Sequence, residues 1–246
     1  MRQFRKVVGM VLVLAIAICS MASCDGKPEK IIPVADEFLA TNPYTVDVRV
    51  TYKSDDETMA AAIASFTGPT MKISVDGDKF SAIMYLKQGE DTSYAQFTFL
   101  DGTLYTEYSE GGKVANSQTT YTAEDVAAMR ETLGAGANVT YEDFDEVTVA
   151  SAKKVTLITC DKIKADAIAS LTASLTEQLE TVFEEVTVTV YTATLNIEIE
   201  DDKYNVIILT CEYFITTPTD SYSIDMQYSM KFNYDETVVI TAPTFD

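Results

Sequence analysis

From Asn42 onward the chain alternates apolar and polar residues with a period of two. Val46, Val48, Val50 and Tyr52 alternate with Thr45, Asp47, Arg49 and Thr51, which predicts a strand with one buried face. Met71, Ile73 and Val75 run into Asp76-Gly77, and Phe80, Ala82 and Met84 run out, the pattern of a hairpin. Tyr94 to Leu100 and Thr103 to Tyr108 form a second pair around Asp101-Gly102, and Gly111-Gly112 turns the chain into Lys113 to Tyr121. Further strands are expected at Val147–Ala150, Lys154–Cys160, Val186–Glu200, Tyr204–Thr216, Ser221–Asn233 and Val238–Thr241. Two short helices interrupt the series. Ser54-x-x-Glu57 resembles a capping box ahead of Met59, Ile63 and Phe66, and Thr122-x-x-Asp125 precedes Val126, Met129 and Leu133.

One stretch breaks the rhythm. In Ile163 to Phe183 the apolar residues Ile168, Leu171, Leu175, Leu179 and Val182 recur at spacings of three and four, one stripe of an α-helix. A long antiparallel sheet must bury one face, and strand twist curls such a sheet around whatever lies on it. The expected fold is therefore α+β: a curved antiparallel half-barrel wrapped around a long central α-helix, with two short helices, as one domain over residues 42–246.

The N-terminus has a different character. Arg2, Arg5 and Lys6 precede an apolar run from Val7 to Ile18, about 12 residues, the length of a signal-peptide core and too short to span a bilayer. Ser20-Met21-Ala22-Ser23-Cys24 then resembles a bacterial lipobox, in which the cysteine is acylated and becomes the new N-terminus; Ser20-x-Ala22 also suits ordinary secretory cleavage. The expectation is a lipoprotein signal peptide over residues 1–23 and an exported protein anchored to a membrane through Cys24 on the extracytoplasmic side. Residues 24–41 read as lipidated end and tether, with a helical turn at Val34–Leu39.

Charge narrows the partners. Lys and Arg number 18 against 38 Asp and Glu, a net of −20; without Arg2, Arg5 and Lys6 the balance is 15 to 38, or −23. Such a body repels nucleic-acid phosphates, so no nucleic-acid partner is expected. The absence of His removes imidazole general-base catalysis and His-ligated metal. No Gly-rich phosphate loop and no G-x-S-x-G elbow is present, so neither cofactor nor catalytic residue is assigned. Asp76-Gly77-Asp78 lacks the oxygen ladder of a calcium loop and reads as a hairpin turn, and Tyr141–Glu146 reads as a solvated acidic loop. Cys160 and Cys211 are compatible with one disulfide or with two buried thiols.

These residues bring the chain to a resemblance. The lipobox, Phe97 to Tyr105, Thr156 to Phe183, and the closing Tyr228-Ser229, Phe232, Tyr234 and Val238-Val-Ile240-x-x-Pro243 are similar to bacterial lipoproteins of the LolA/LprG-like superfamily. The resemblance covers most of residues 44–243 and implies a half-barrel closed by helices around an apolar cavity that holds acyl chains; it transfers no catalytic residue. The helix stripe Ile168, Leu171, Leu175, Leu179 and Val182, with Met84, Phe97, Phe99, Met226, Met230 and Phe232, would then line either such a cavity or a plain packed core. The corresponding functions are a non-enzymatic carrier of a lipid-like ligand, or a structural module that contacts another envelope protein.

Overall fold

The computed structural model describes residues 28–64, 70–77, 79–88, 91–110, 113–120, 122, 139–183 and 185–243. Cys24, the signal segment, Phe66 and the helix expected beyond Thr122 lie outside the described residues. In chain order the elements are α1 (Ile32–Thr41), β1 (Tyr44–Lys53), α2 (Glu57–Ile63), β2 (Thr70–Asp76), β3 (Lys79–Gln88), β4 (Asp91–Leu100), β5 (Thr103–Glu110) and β6 (Lys113–Thr120). A 3-10 turn (Tyr141–Asp143) then leads into β7 (Phe144–Ala152), β8 (Val155–Ile163), α3 (Ala165–Leu179), β9 (Thr187–Glu200), β10 (Lys203–Thr216) and β11 (Ser221–Asn233).

The strands form an 11-stranded sheet in the order β6-β5-β4-β3-β2-β1-β11-β10-β9-β8-β7. The first six strands meander outward from β1, and the last five meander back from the opposite edge until β11 reaches β1. This corrects the expected architecture: the protein is one large antiparallel sheet with short helices, not a sheet wrapped around a long central helix. Two physical reasons account for the difference. The alternating pattern of β8 persists to Ile163, with Lys162 in the left-handed region at φ 60°, so the helix begins at Ala165 and spans 15 residues. Moreover, α3 is apolar along one stripe only. Ala169, Ala173 and Glu177 on its other side are exposed, whereas a helix enclosed by a sheet must be apolar all round.

Turn chemistry holds the strand register. Asp101 and Gly102 both take positive φ (51° and 77°), the type I′ geometry whose twist matches two antiparallel strands. Asp201 and Asp202 do the same between β9 and β10 at 50° and 65°, since Asp tolerates this region better than most residues. Residues 237–243, expected to include a strand, adopt none.

The chain divides into two compact units. Unit 1 contains β1 as far as Val48, residues 69–138 and the segment from Lys231. Its core face pairs Ile73 with Ala82 and Ala82 with Phe97, all buried. Helix α1 docks here: Ile32, Ala35 and Asp36 are buried, and Phe38 meets Tyr234 edge-on with ring centroids 5.2 Å apart. Tyr234 also stacks on Phe232, and both approach Tyr44. On the same unit Glu236 ties the C-terminal segment down, 2.6 Å from Lys72 and 3.4 Å from the Thr45 hydroxyl that donates to it.

Unit 2 contains β1 from Arg49, α2, the 3-10 turn, β7 to β10, α3 and β11 as far as Met230. Its core face is read off the register: Ile158, Ile197 and Ile207 line up across β8, β9 and β10, followed by Cys160, Leu195 and Leu209. The opposite face is a polar ladder. Thr159 donates to Asn196 (3.0 Å), Thr194 to Asp161 (2.9 Å) and Asn205 to Glu198 (2.5 Å). Helix α2 starts two residues later than the Ser54 cap predicted. Asp56, not Ser54, is its cap: the Asp56 carboxylate accepts from Met59 N at 2.9 Å, while Ser54 donates to the Ser223 carbonyl at 2.7 Å.

Candidate apolar ligand site

Helix α3 packs on β9 through its apolar stripe. At about 100° per residue, Leu171, Leu175 and Ile168 all fall within the arc bounded by Ala167 and Leu179. Leu175 and Leu179 are sealed, at 2% and 0% exposure, and Ala167 is buried as well. Ile168 and Leu171 sit inside that same arc and nevertheless keep accessible surface. Ile168 and Leu171 are therefore the positions of this stripe that solvent, or a ligand, can still reach.

Near it lie tyrosines that belong to the in-phase rows of their strands but were not among the expected lining residues. Tyr213 on β10 donates its hydroxyl to the Leu171 carbonyl at 3.4 Å and lies within hydrogen-bonding reach of the Cys211 thiol. Tyr52, on the core-facing row of β1, is close enough to Cys211 and Tyr213 to interact electrostatically with both. Burial pushes the hydroxyl of Tyr52 up to about 12, with Cys211 adding to the effect, and raises those of Tyr213 and Tyr228 as well. Tyr52 and Tyr228 nonetheless retain accessible area. Both rings are therefore largely enclosed by protein without being sealed from solvent. The signal available in sequence was the in-phase position of Tyr52, Tyr213 and Tyr228 in their strands; alternation marks a face but not what that face does.

The residues proposed from sequence as one lining divide between the units. Leu175, Leu179, Ile168 and Leu171 are on α3 in unit 2, where Met226 and Met230 are buried on β11. Val182 lies beyond the helix, after a turn in which Val182 N and Phe183 N both bond the Leu179 carbonyl, and it is 52% exposed. Met84, Phe97, Phe99 and Phe232 belong to the core of unit 1, where Phe99 stacks on Phe80 at 5.7 Å.

Cys160 and Cys211 are free thiols. Cys160 pairs with Leu195 and Cys211 with Ala193, so β9 runs between them. Two interstrand steps of about 4.8 Å and a two-residue offset along β9 place them roughly 12 Å apart, beyond the roughly 4.4–6.8 Å between Cα atoms that a disulfide spans. Burial pushes Cys160 up to about 12, with Asp161 adding to it, and Cys211 up to about 11, so both are protonated at neutral pH and neither is poised as a nucleophile. The acidic run at Tyr141–Glu146 is spent on structure. Asp143 accepts from Thr140 N at 2.6 Å and from its hydroxyl, and Glu146 pairs with Lys162. No helix among the described residues is long and apolar enough to cross a membrane.

No family model matches the chain, and no curated protein matches it. Among solved structures, the ywiB protein from Bacillus subtilis aligns at 10% identity over 80% of this chain and 98% of its own, with a TM-score of 0.19. The tesB protein of Mycobacterium avium subsp. paratuberculosis aligns at 8% identity over 84% of this chain and 85% of its own, with a TM-score of 0.12. An acyl-CoA thioesterase II, TesB2, from Mycobacterium marinum gives 7% identity over 82% and 86%, with a TM-score of 0.11. At such low scores none of these likenesses carries a fold or an activity across.

Proposed function

We propose that the chain is an exported bacterial lipoprotein, anchored through acylated Cys24, that takes up a lipid-like ligand between α3 and the sheet of unit 2 without covalent chemistry. The observation that supports this reading is the half-exposure of Ile168 and Leu171 within an otherwise sealed helix stripe. An acyl chain laid along them would be stabilised by about 25 cal/mol per Å² of apolar surface removed from water. The hydroxyl of Tyr52, beside Cys211 and near the Tyr213 that reaches α3, would give such a recess a polar contact for a headgroup or carboxyl, the mixture that small-molecule sites use. The similarity of the closing motif to LolA/LprG-like lipoproteins agrees with this reading, though the half-barrel that it implied is not the fold.

The test is titration of residues 25–246 with a fluorescent fatty acid. Saturable uptake of one molecule is expected, and Ile168→Trp, which fills the recess, should weaken it at least about tenfold with circular dichroism unchanged. No saturable uptake by the parent chain overturns the proposal.

A second reading, contact with another envelope protein, rests on a different observation. Tyr191 and Phe214 are 76% and 48% exposed on adjacent strands of unit 2. Tyr191 is the extra residue of a β-bulge, opposite the step from Glu212 to Tyr213. Aromatic residues of this kind are enriched at protein interfaces.

A further inference from the structure

The docking of α1 changes what the N-terminal anchor can do. Read as a tether, residues 25 to 41 would let the folded body range some 60 Å from a membrane at about 3.5 Å per residue. Most of that length is instead spent on structure. Pro28 is buried, its carbonyl accepts from Ile31 N at 2.9 Å and Ile32 N at 3.0 Å, and α1 follows with Ile32, Ala35 and Asp36 buried. Only residues 25 to 27 separate Cys24 from Pro28, a reach of about 14 Å between the two Cα atoms at full extension. Resting on the Cys24 anchor proposed above, we infer that the α1 side of unit 1 is held against the headgroup surface of the anchoring bilayer.

The surface presented there suits contact without insertion. Glu29, Lys30, Val34, Glu37, Ala40 and Thr41 are exposed along the turn and α1. Val34, at 43%, is the one large apolar side chain among them. A helix that enters the acyl region needs a broad apolar face with basic residues beside it, and α1 offers neither. The net charge of −23 without the three N-terminal cations gives the body no attraction to anionic lipid. Covalent reach, not affinity, holds this face in place.

The experiment uses the full chain, processed and acylated in a bacterial host and reconstituted in phosphatidylcholine vesicles. A fluorophore placed at Val34→Cys labels one site, because Cys160 and Cys211 are buried. Nitroxide on the lipid headgroup should quench it strongly, and nitroxide deep in the acyl chain should not. Inserting twelve Gly/Ser residues between Lys27 and Pro28 adds a coil of roughly 20 Å root-mean-square length and should abolish most of the quenching while the protein still floats with the vesicles. Acylated, vesicle-bound protein whose quenching is weak from the start, or unchanged by the insertion, overturns the inference and leaves the anchor standing. An intact mass without acyl groups on Cys24 overturns both.

Discussion

The Tyr213 hydroxyl donates to the Leu171 carbonyl at 3.4 Å, a direct polar link from the sheet of unit 2 to α3. It reaches the helix beside the half-exposed Leu171 side chain, where apolar packing is thinnest. Leu171 O also has its own i+4 partner within the helix, so losing the tyrosine proton does not orphan the carbonyl. Tyr213→Phe should therefore cost only about 0.5–1 kcal/mol in urea unfolding, the low end for a hydrogen bond at this length. A cost above about 2 kcal/mol would mean that Tyr213 does more than brace the helix.

The stripe of α3 should respond unevenly to truncation. Leu179→Ala empties a sealed site and should cost about 2–5 kcal/mol. Ile168→Ala removes a side chain that already keeps part of its surface in solvent and should cost less, about 1–2 kcal/mol. Equal losses in chemical denaturation would show that Ile168 is packed as tightly as Leu179, and the recess would disappear with that result.

Alkaline titration tests the buried thiols and phenols. Cys160, Cys211 and Tyr52 have folded values pushed up to about 12, 11 and 12 from reference values of 9.0 for the thiols and 10.0 for the phenol. A raised folded value favours the protonated, neutral form. The stability it contributes is thus complete below the unfolded value and lost as pH rises through the folded one. The Tm should be insensitive to this group of residues up to about pH 9 and fall steeply between about 9 and 12. The double variant Cys160→Ala, Cys211→Ala should delay the fall to above about pH 10, where Tyr52 begins to contribute. The native thiols should also resist a thiol reagent at neutral pH, and oxidant should not crosslink them within one chain.

Capping offers a sharper contrast. Asp56→Ala removes the acceptor for Met59 N and should cost about 1 kcal/mol. Ser54→Ala leaves that cap intact, although it removes the bond to Ser223 O, and should cost less. The reverse order in thermal melts would restore Ser54 as the helix start that its spacing from Glu57 suggested.

These contrasts show where the sequence was readable. Alternation placed most strands within a few residues, and Asp101-Gly102 marked a turn that the backbone takes as expected, because strand period and turn stereochemistry are local properties. Helix α3 was legible for the same reason, with its stripe from Ile168 to Leu179, but Val182 lies beyond its end and its surroundings were not readable. A stripe says that one side is covered; it does not say whether a sheet encloses the helix or lies under part of it. Pairing order was equally hidden, since β11 returns to β1 across the whole length of the chain. At the candidate site, spacing put Ile168 and Leu171 on the right face, but the exposure that separates them from Leu175 and Leu179 depends on what lies opposite. Met84, Phe97, Phe99 and Phe232, expected from their apolar character and the resemblance to share that lining or a packed core, are buried in unit 1.

Under the proposed function, a lipid-like molecule lies between α3 and the sheet of unit 2. Native mass spectrometry of residues 25–246 purified from a bacterial host, followed by solvent extraction, tests it most directly. A stoichiometric adduct of lipid mass that is extracted by organic solvent and is lost in Ile168→Trp is the expected result. A clean apo mass that stays unchanged when lipid is offered would contradict it, and would leave the exposed Tyr191 and Phe214 as the surface to pursue.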